Sequence, residues 1–166
     1  MPDLIIRSAR SRDRASIGNV LARSYGTLLA ADYPEVLLQE VLPILTRVRP
    51  ELLAQPGYLV AERAGRVAAV GGWTPAAPQG GSGGEDVGHV RHVACDPECL
   101  RQGVTRALML AAIAQARAAG MRLLCCLSTR TAVPFYHALG FEGAAEIELR
   151  LRPGLFFPAV DMRRCL

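Results

Sequence analysis

Residues 99–108 read Cys-Leu-Arg-Gln-Gly-Val-Thr-Arg-Ala-Leu, which sets Arg101, Gly103 and Arg106 at the mouth of an apolar-periodic stretch. The first four N–H groups of a helix have no partner within it, and its dipole adds about half a positive charge there. Arginines beside that end are repelled unless an anion sits between them. Gly103 has no side chain, so a phosphate-sized group can approach the backbone closely. Arg101 and Arg106 would then add charge-assisted hydrogen bonds. An ordinary helix start with solvated arginines fits the same residues, and the spacing alone leaves both readings open.

The rest of the composition narrows the choice. All 19 basic residues are arginine, which excludes a Schiff-base lysine and a P-loop lysine. A formal charge of +4 suits a small polyanion and is too mild for nucleic-acid binding. The nearest approach to a run of like charge, Arg7 to Arg14, is broken by Asp13. Cys95, Cys99, Cys125, Cys126 and Cys165 are odd in number and form no C-x-x-C pair. They read as reduced, mostly buried small hydrophobes of a cytoplasmic protein. Cys95 and Cys99 with His89 or His92 lack any standard ligand spacing, so no metal is expected. The opening MPDLIIRSAR has only a three-residue apolar run, and no stretch approaches the roughly 20 apolar residues of a span. Neither a leader nor a membrane contact is expected.

These groups need elements to position them. Leu4 to Arg7 reads as a strand. Asp13 is placed to cap a helix over 14–25, and a second helical stretch, 35–48, is interrupted by Pro43. Tyr58 to Glu62 and Arg66 to Trp73 form a hairpin about Ala64-Gly65. Residues 74–84, rich in Pro, Gly and Ser, read as a flexible loop bordering a cleft. The strand after it alternates, with Val87, His89, Arg91 and Val93 on one face and Gly88, Val90, His92 and Ala94 on the other. A helix is expected from near Arg101 to Ala119, stopped by Gly120. Leu123 to Ser128 is a continuous apolar run suited to a strand buried on both faces. Pro134 sits in the first turn of a short helix ending at Leu139-Gly140, and strands follow at 141–151 and 157–164. The order is β-α-α-β-β-β-α-β-α-β-β, an α/β (α+β) class with a mixed, mostly antiparallel sheet and helices on both faces. At 166 residues one domain, 1–166, is expected.

HVACDPECLRQGVTRALM, followed by the apolar strand and by AVPFYHALGF, resembles the GNAT superfamily of acetyl-CoA-dependent N-acetyltransferases. The resemblance is specific over 87–142. In that family a Q/R-x-x-G-x-G/A loop holds the pyrophosphate of the cofactor. Here those positions are Leu100, Arg101, Gln102, Gly103, Val104 and Thr105, with only the middle glycine kept. Backbone donation survives such changes, so the resemblance implies cofactor contacts from Arg101, Gln102, Gly103, Val104, Thr105 and Arg106. Thr129 stands seven residues before Tyr136, where the family often has asparagine, and implies an altered contact. Tyr136 matches the tyrosine that protonates the departing thiolate. A donor near pKa 10 beside a thiol near pKa 8.5 suits that task.

An amine attacks only when neutral, and the family's protein base stands early on the strand before the loop. His89 occupies that place, with Glu85 and Asp86 as substitutes acting through water. His92 is set on the opposite face. The resemblance also implies that the strand end at Val93, Ala94 and Cys95 hydrogen-bonds the pantetheine arm and that a backbone N–H near Ala94 or Cys95 steadies the oxyanion. Tyr25, Asp32, Tyr33, Glu35 and Trp73 are candidate lining residues for a small-molecule or peptide amine acceptor. Phe156 and Phe157 stand at a cleft edge, in the core, or at the contact of a homodimer. The competing expectation is a non-catalytic acyl-CoA-binding module.

Overall fold

The computed structural model describes residues 3–78 and 84–166. Residues 79–83, most of the glycine-rich part of the loop expected over 74–84, lie outside the described residues. The chain opens with β1 (Leu4–Ser8), α1 (Arg14–Leu28), α2 (Glu35–Leu45) and a one-turn helix α3 (Pro50–Leu53). The hairpin β2 (Tyr58–Arg63) and β3 (Arg66–Thr74) follows, then β4 (Val87–Cys95), α4 (Val104–Ala118) and β5 (Leu123–Ser128). The chain ends with α5 (Val133–Ala138), β6 (Glu146–Arg152) and β7 (Leu155–Cys165). Among the described residues no helix is long and apolar enough to cross a membrane.

The seven strands form one sheet in the order β1-β2-β3-β4-β5-β7-β6. Only β4 and β5 are parallel, and α4 is the crossover between them. Both residues of the β2–β3 turn are left-handed, Ala64 at φ 52° and Gly65 at φ 74°, the geometry that matches strand twist in a tight hairpin. One face of the sheet packs Leu108, Met109, Ala112 and Ile113 of α4, with Tyr136 of α5, against Trp73, Val90 and Leu124. On the other face Ile17, Val20 and Leu21 of α1 meet Tyr58, Val60, Val70 and Ala94. A third cluster joins Leu38 and Val41 of α2 to Leu155 and Phe157 of β7.

Several expectations change, each for a local reason. Asp13 does not cap α1. Its carboxylate accepts from Arg7 Nη1 and Nη2 at 2.8 and 2.9 Å and from the Arg10 backbone N–H at 2.7 Å, so it closes the preceding turn instead. Pro43 does not break α2, because the helix ends two residues later and Thr46 caps the Leu42 carbonyl through both its N–H and its hydroxyl. α4 starts at Val104, leaving Arg101 in the turn before it. β5 is not buried on both faces. Leu124, Cys126 and Ser128 face the α4 layer, while Leu127 is exposed on the side that falls between the α1 and α2 clusters. Phe141 is core and not strand. The chain bends at Gly143, where φ is 133° and a side chain would strike the Asp161 carbonyl, and β6 begins only at Glu146. Cys95 and Cys126 are buried, Cys99 and Cys125 half-buried and Cys165 exposed, all as free thiols.

Candidate active site

The site begins with an irregularity in β4. Val70 of β3 pairs with Ala94, but Gly72 pairs with Arg91, so two steps on β3 span three on β4. The extra residue is His92, whose φ of 41° is left-handed. Such a bulge re-aims every side chain beyond it. Val90 and Val93 both pack toward α4, while Ala94 joins the α1 cluster. The strict alternation expected from Val87 to Ala94 therefore ends at Arg91. The carbonyls of the bulge are held from the α1 side. Tyr58 Oη donates to the His92 carbonyl at 3.2 Å, and Tyr25 Oη donates to the Val93 carbonyl at 3.1 Å. Burial holds both phenols far above their ordinary pKa, so they stay donors.

Beyond the bulge the sheet opens. The β4–β5 ladder covers only Val87–His89 against Leu123–Cys125, although β4 runs on to Cys95 and β5 to Ser128. Between the parted strands lies a cleft of about 620 Å³. Ser24 and Tyr25 of α1, His92 to Cys95 of β4, Cys126 to Ser128 of β5 and Pro134 to Tyr136 of α5 wall it. Its far end is the N-terminus of α4.

That helix end is built to donate. Gly103 is its N-cap at φ 75°, no side chain caps it, and the first intrahelical bond runs from the Ala107 N–H to the Gly103 carbonyl. The preceding N–H groups of 103–106 have no helical partner. Arg101 is also left-handed, at φ 58°, a conformation a non-glycine residue adopts at a cost. Left-handed residues interleaved with ordinary ones turn successive N–H groups toward one point, which is how backbone forms an anion-binding hollow. A side chain added at Gly103 would meet no atom within 4 Å, so the hollow is open on that side.

Of the residues singled out in the sequence, Val93, Ala94, Cys95, Arg101, Gly103, Val104, Thr105, Arg106, Thr129 and Tyr136 all line this cleft. Gln102 does not. Its side chain accepts from Arg63 Nη1 at 2.6 Å and donates to the Glu98 carbonyl, which turns it outward. Thr129 uses its hydroxyl to accept from the Ala132 N–H at 3.2 Å and so starts the turn into α5. The Tyr136 ring is fixed edge-on between Phe135 and Phe141, at centroid separations of 5.3 and 5.4 Å. Burial, and then the neighbouring Cys126 thiol, raise its phenol well above the ordinary value. Burial also raises the Cys95 thiol and pushes Cys126 up to about 12, so neither is a thiolate nucleophile at neutral pH.

His89 stands apart. Paired with Thr74, it shares a face with Arg91 and lies off the cleft wall, buried, with Nε2 lacking a partner. The bulge brings His92 to the cleft instead, overturning the expectation that the opposite face removes it. Both rings are held neutral, His89 by burial and then by Arg91, and His92 by burial to about 4. Glu85 and Asp86 are exposed in the turn before β4 and do not line the cleft. Tyr33 and Trp73 are structural. Tyr33 stacks on Phe157 at 4.6 Å and bonds the Pro158 carbonyl, while Trp73 is core. Asp32 is engaged by the Thr131 hydroxyl at 2.7 Å, and Glu35 is exposed. Phe157 is core, and Phe156 is 47% exposed. Tyr25 is the acceptor-side candidate that reaches the cleft.

A sheet that parts between two parallel strands, with an uncapped helix end at the mouth of the gap, is the architecture of an acyltransferase fold. The family model described as the acetyltransferase (GNAT) family matches residues 22–141, and the chain belongs to that family. Solved structures agree in fold. A GCN5-related N-acetyltransferase from Rhodopseudomonas palustris superposes with a TM-score of 0.80 at 18% identity, covering 100% of this chain and 96% of the other. The PaiA N-acetyltransferase from Thermoplasma acidophilum, solved in complex with coenzyme A, gives 0.75 at 15% identity, covering 99% of each. The ribosomal-protein-S18-alanine N-acetyltransferase from Escherichia coli gives 0.66 at 18% identity, covering 98% and 94%. The chain matches no curated protein sequence.

Proposed function

We propose that the chain transfers an acetyl group from acetyl-CoA to a primary amine, small-molecule or peptide, by direct attack of the amine on the thioester. The observation that carries this is the uncapped α4 terminus, with left-handed Arg101 and Gly103, opening into the cleft between the parted strands. The donor set fits a diphosphate: N–H groups of 103–106, with Arg101 and Arg106 at the cleft wall. The edge of β4 at Val93 to Cys95, unpaired on its β5 side, accepts an extended arm as an added strand would.

Tyr136 supplies the proton to the departing thiolate. Burial keeps its phenol protonated at neutral pH, and its packed ring holds the hydroxyl in one direction. Neither histidine of β4 is well set to take the amine's proton, because His89 lies off the cleft wall and burial lowers the His92 ring to about 4. The base role expected of His89 therefore passes to water, and the amine reacts from its own neutral fraction. Release of free thiol from acetyl-CoA across a panel of amines tests the reading. Tight coenzyme A binding without turnover on any amine would favour a binding module instead.

A further inference from the structure

We propose that a second cavity, on the α1 face of the sheet, binds a small molecule carrying two or more negative charges as carboxylate or phosphate. The cavity has a volume of about 520 Å³ and shares no wall residue with the cleft. Arg14 at the start of α1, Arg47 and Arg49 between α2 and α3, and Arg91 on β4 all line it. Glu51 is the one acid in its wall among the described residues.

Five of the 19 arginines form ion pairs among the described residues. Arg7, Arg23, Arg130, Arg152 and Arg163 each reach a carboxylate. None of the four cavity arginines makes an ion pair among the described residues. Arg91 is the least comfortable of them. It is half-buried, its Nη1 donates to Thr74 Oγ1 at 3.1 Å, and its Nε is buried without a partner. Burial, and then repulsion from Arg49, lower its pKa, so the fold holds like charges together against their preference. Guanidinium groups present planar forks that bind carboxylate or phosphate oxygens two at a time. An anion in this cavity would relieve the repulsion between Arg91 and Arg49. The size suits a small ligand, within the roughly 300–1,000 Å³ of ordinary binding pockets.

Calorimetric titration of the full chain with citrate, and separately with inorganic phosphate, tests this. We expect a citrate site that persists when saturating coenzyme A fills the α4 hollow and is weakened about tenfold or more in Arg49→Gln and in Arg91→Gln. Arg49 is exposed, so its variant reads binding even if Arg91→Gln disturbs folding. Where the chain turns over, citrate that competes with a carboxylate-bearing amine assigns the anion to the acceptor, and citrate that does not compete assigns it to a separate effector. Both results support the site. Absence of heat at millimolar citrate, or binding that survives Arg49→Gln and Arg91→Gln but is lost in Arg101→Gln, would overturn it.

Discussion

Replacing Gly103 by alanine separates the stability role of that residue from its role toward an anion. At φ 75° an L residue pays about 1–2 kcal/mol, because its Cβ crowds its own carbonyl. Nothing else is added to that cost, since the new methyl meets no protein atom within 4 Å. For a chain of 166 residues, about 1 kcal/mol lowers Tm by roughly 2–4 °C, so Gly103→Ala should melt a few degrees early and remain folded. The effect on ligand is separate. The methyl projects into the open side of the hollow, where a diphosphate would contact the 103–106 amides. A charge-assisted hydrogen bond is worth about 1.5–3 kcal/mol, so losing or lengthening one weakens coenzyme A about tenfold or more. Thermal shift with and without coenzyme A reads both effects, because a ligand stabilises by RT ln(1 + [L]/Kd). The wild type should gain clearly more from a fixed dose than Gly103→Ala. Equal gains would refute the reasoning, since the amides around Gly103 would then not be what holds the cofactor.

Three further outcomes follow from the same geometry. Tyr136→Phe should lower kcat about a hundredfold, at the low end for loss of a general acid, and leave KM for acetyl-CoA near its wild-type value. Steady-state kinetics check this, and an unchanged kcat removes the assigned acid. The kcat/KM profile of His89→Ala should follow that of the wild type, rising with pH along the acceptor's own ionisation. Loss in the variant of an acid-side limb that the wild type shows would return the base role to His89. Asp13, held below its ordinary pKa chiefly by Arg7, contributes stability that is present above about 3.9 and is lost as pH falls through its lower folded value. Asp13→Asn should therefore be less stable than wild type at neutral pH, with the gap closing in acid. Urea melts at several pH values show it, and a gap that widens in acid contradicts the pairing.

Much of this molecule is written locally. The paired left-handed residues Ala64 and Gly65, the stop at Gly120 and the apolar period of α4 are short-range signals, and with them came the order of the elements. The bulge at His92 was not legible in β4 itself, because the glycine that makes room for it, Gly71, lies across on β3, where a side chain would strike Val93. It is held by phenols of Tyr25 and Tyr58, 67 and 34 residues away in the chain. Once it forms, the face of every later β4 side chain follows, which is why alternation misplaced His92. The outward turn of the Gln102 side chain was not legible for a similar reason. That side chain answers to Arg63 on another strand. The arginine-lined cavity gathers residues from positions 14, 47, 49 and 91, and nothing local in any of those segments announces the others.

Amide chemical shifts of the labelled chain, followed during titration with coenzyme A, test the central claim most directly. The N–H signals of Gly103, Val104, Thr105 and Arg106 should move together and saturate at one equivalent, with Val93 to Cys95 following. Shifts confined to the neighbourhood of Arg14, Arg49 and Arg91, or no shift at millimolar ligand, would contradict it.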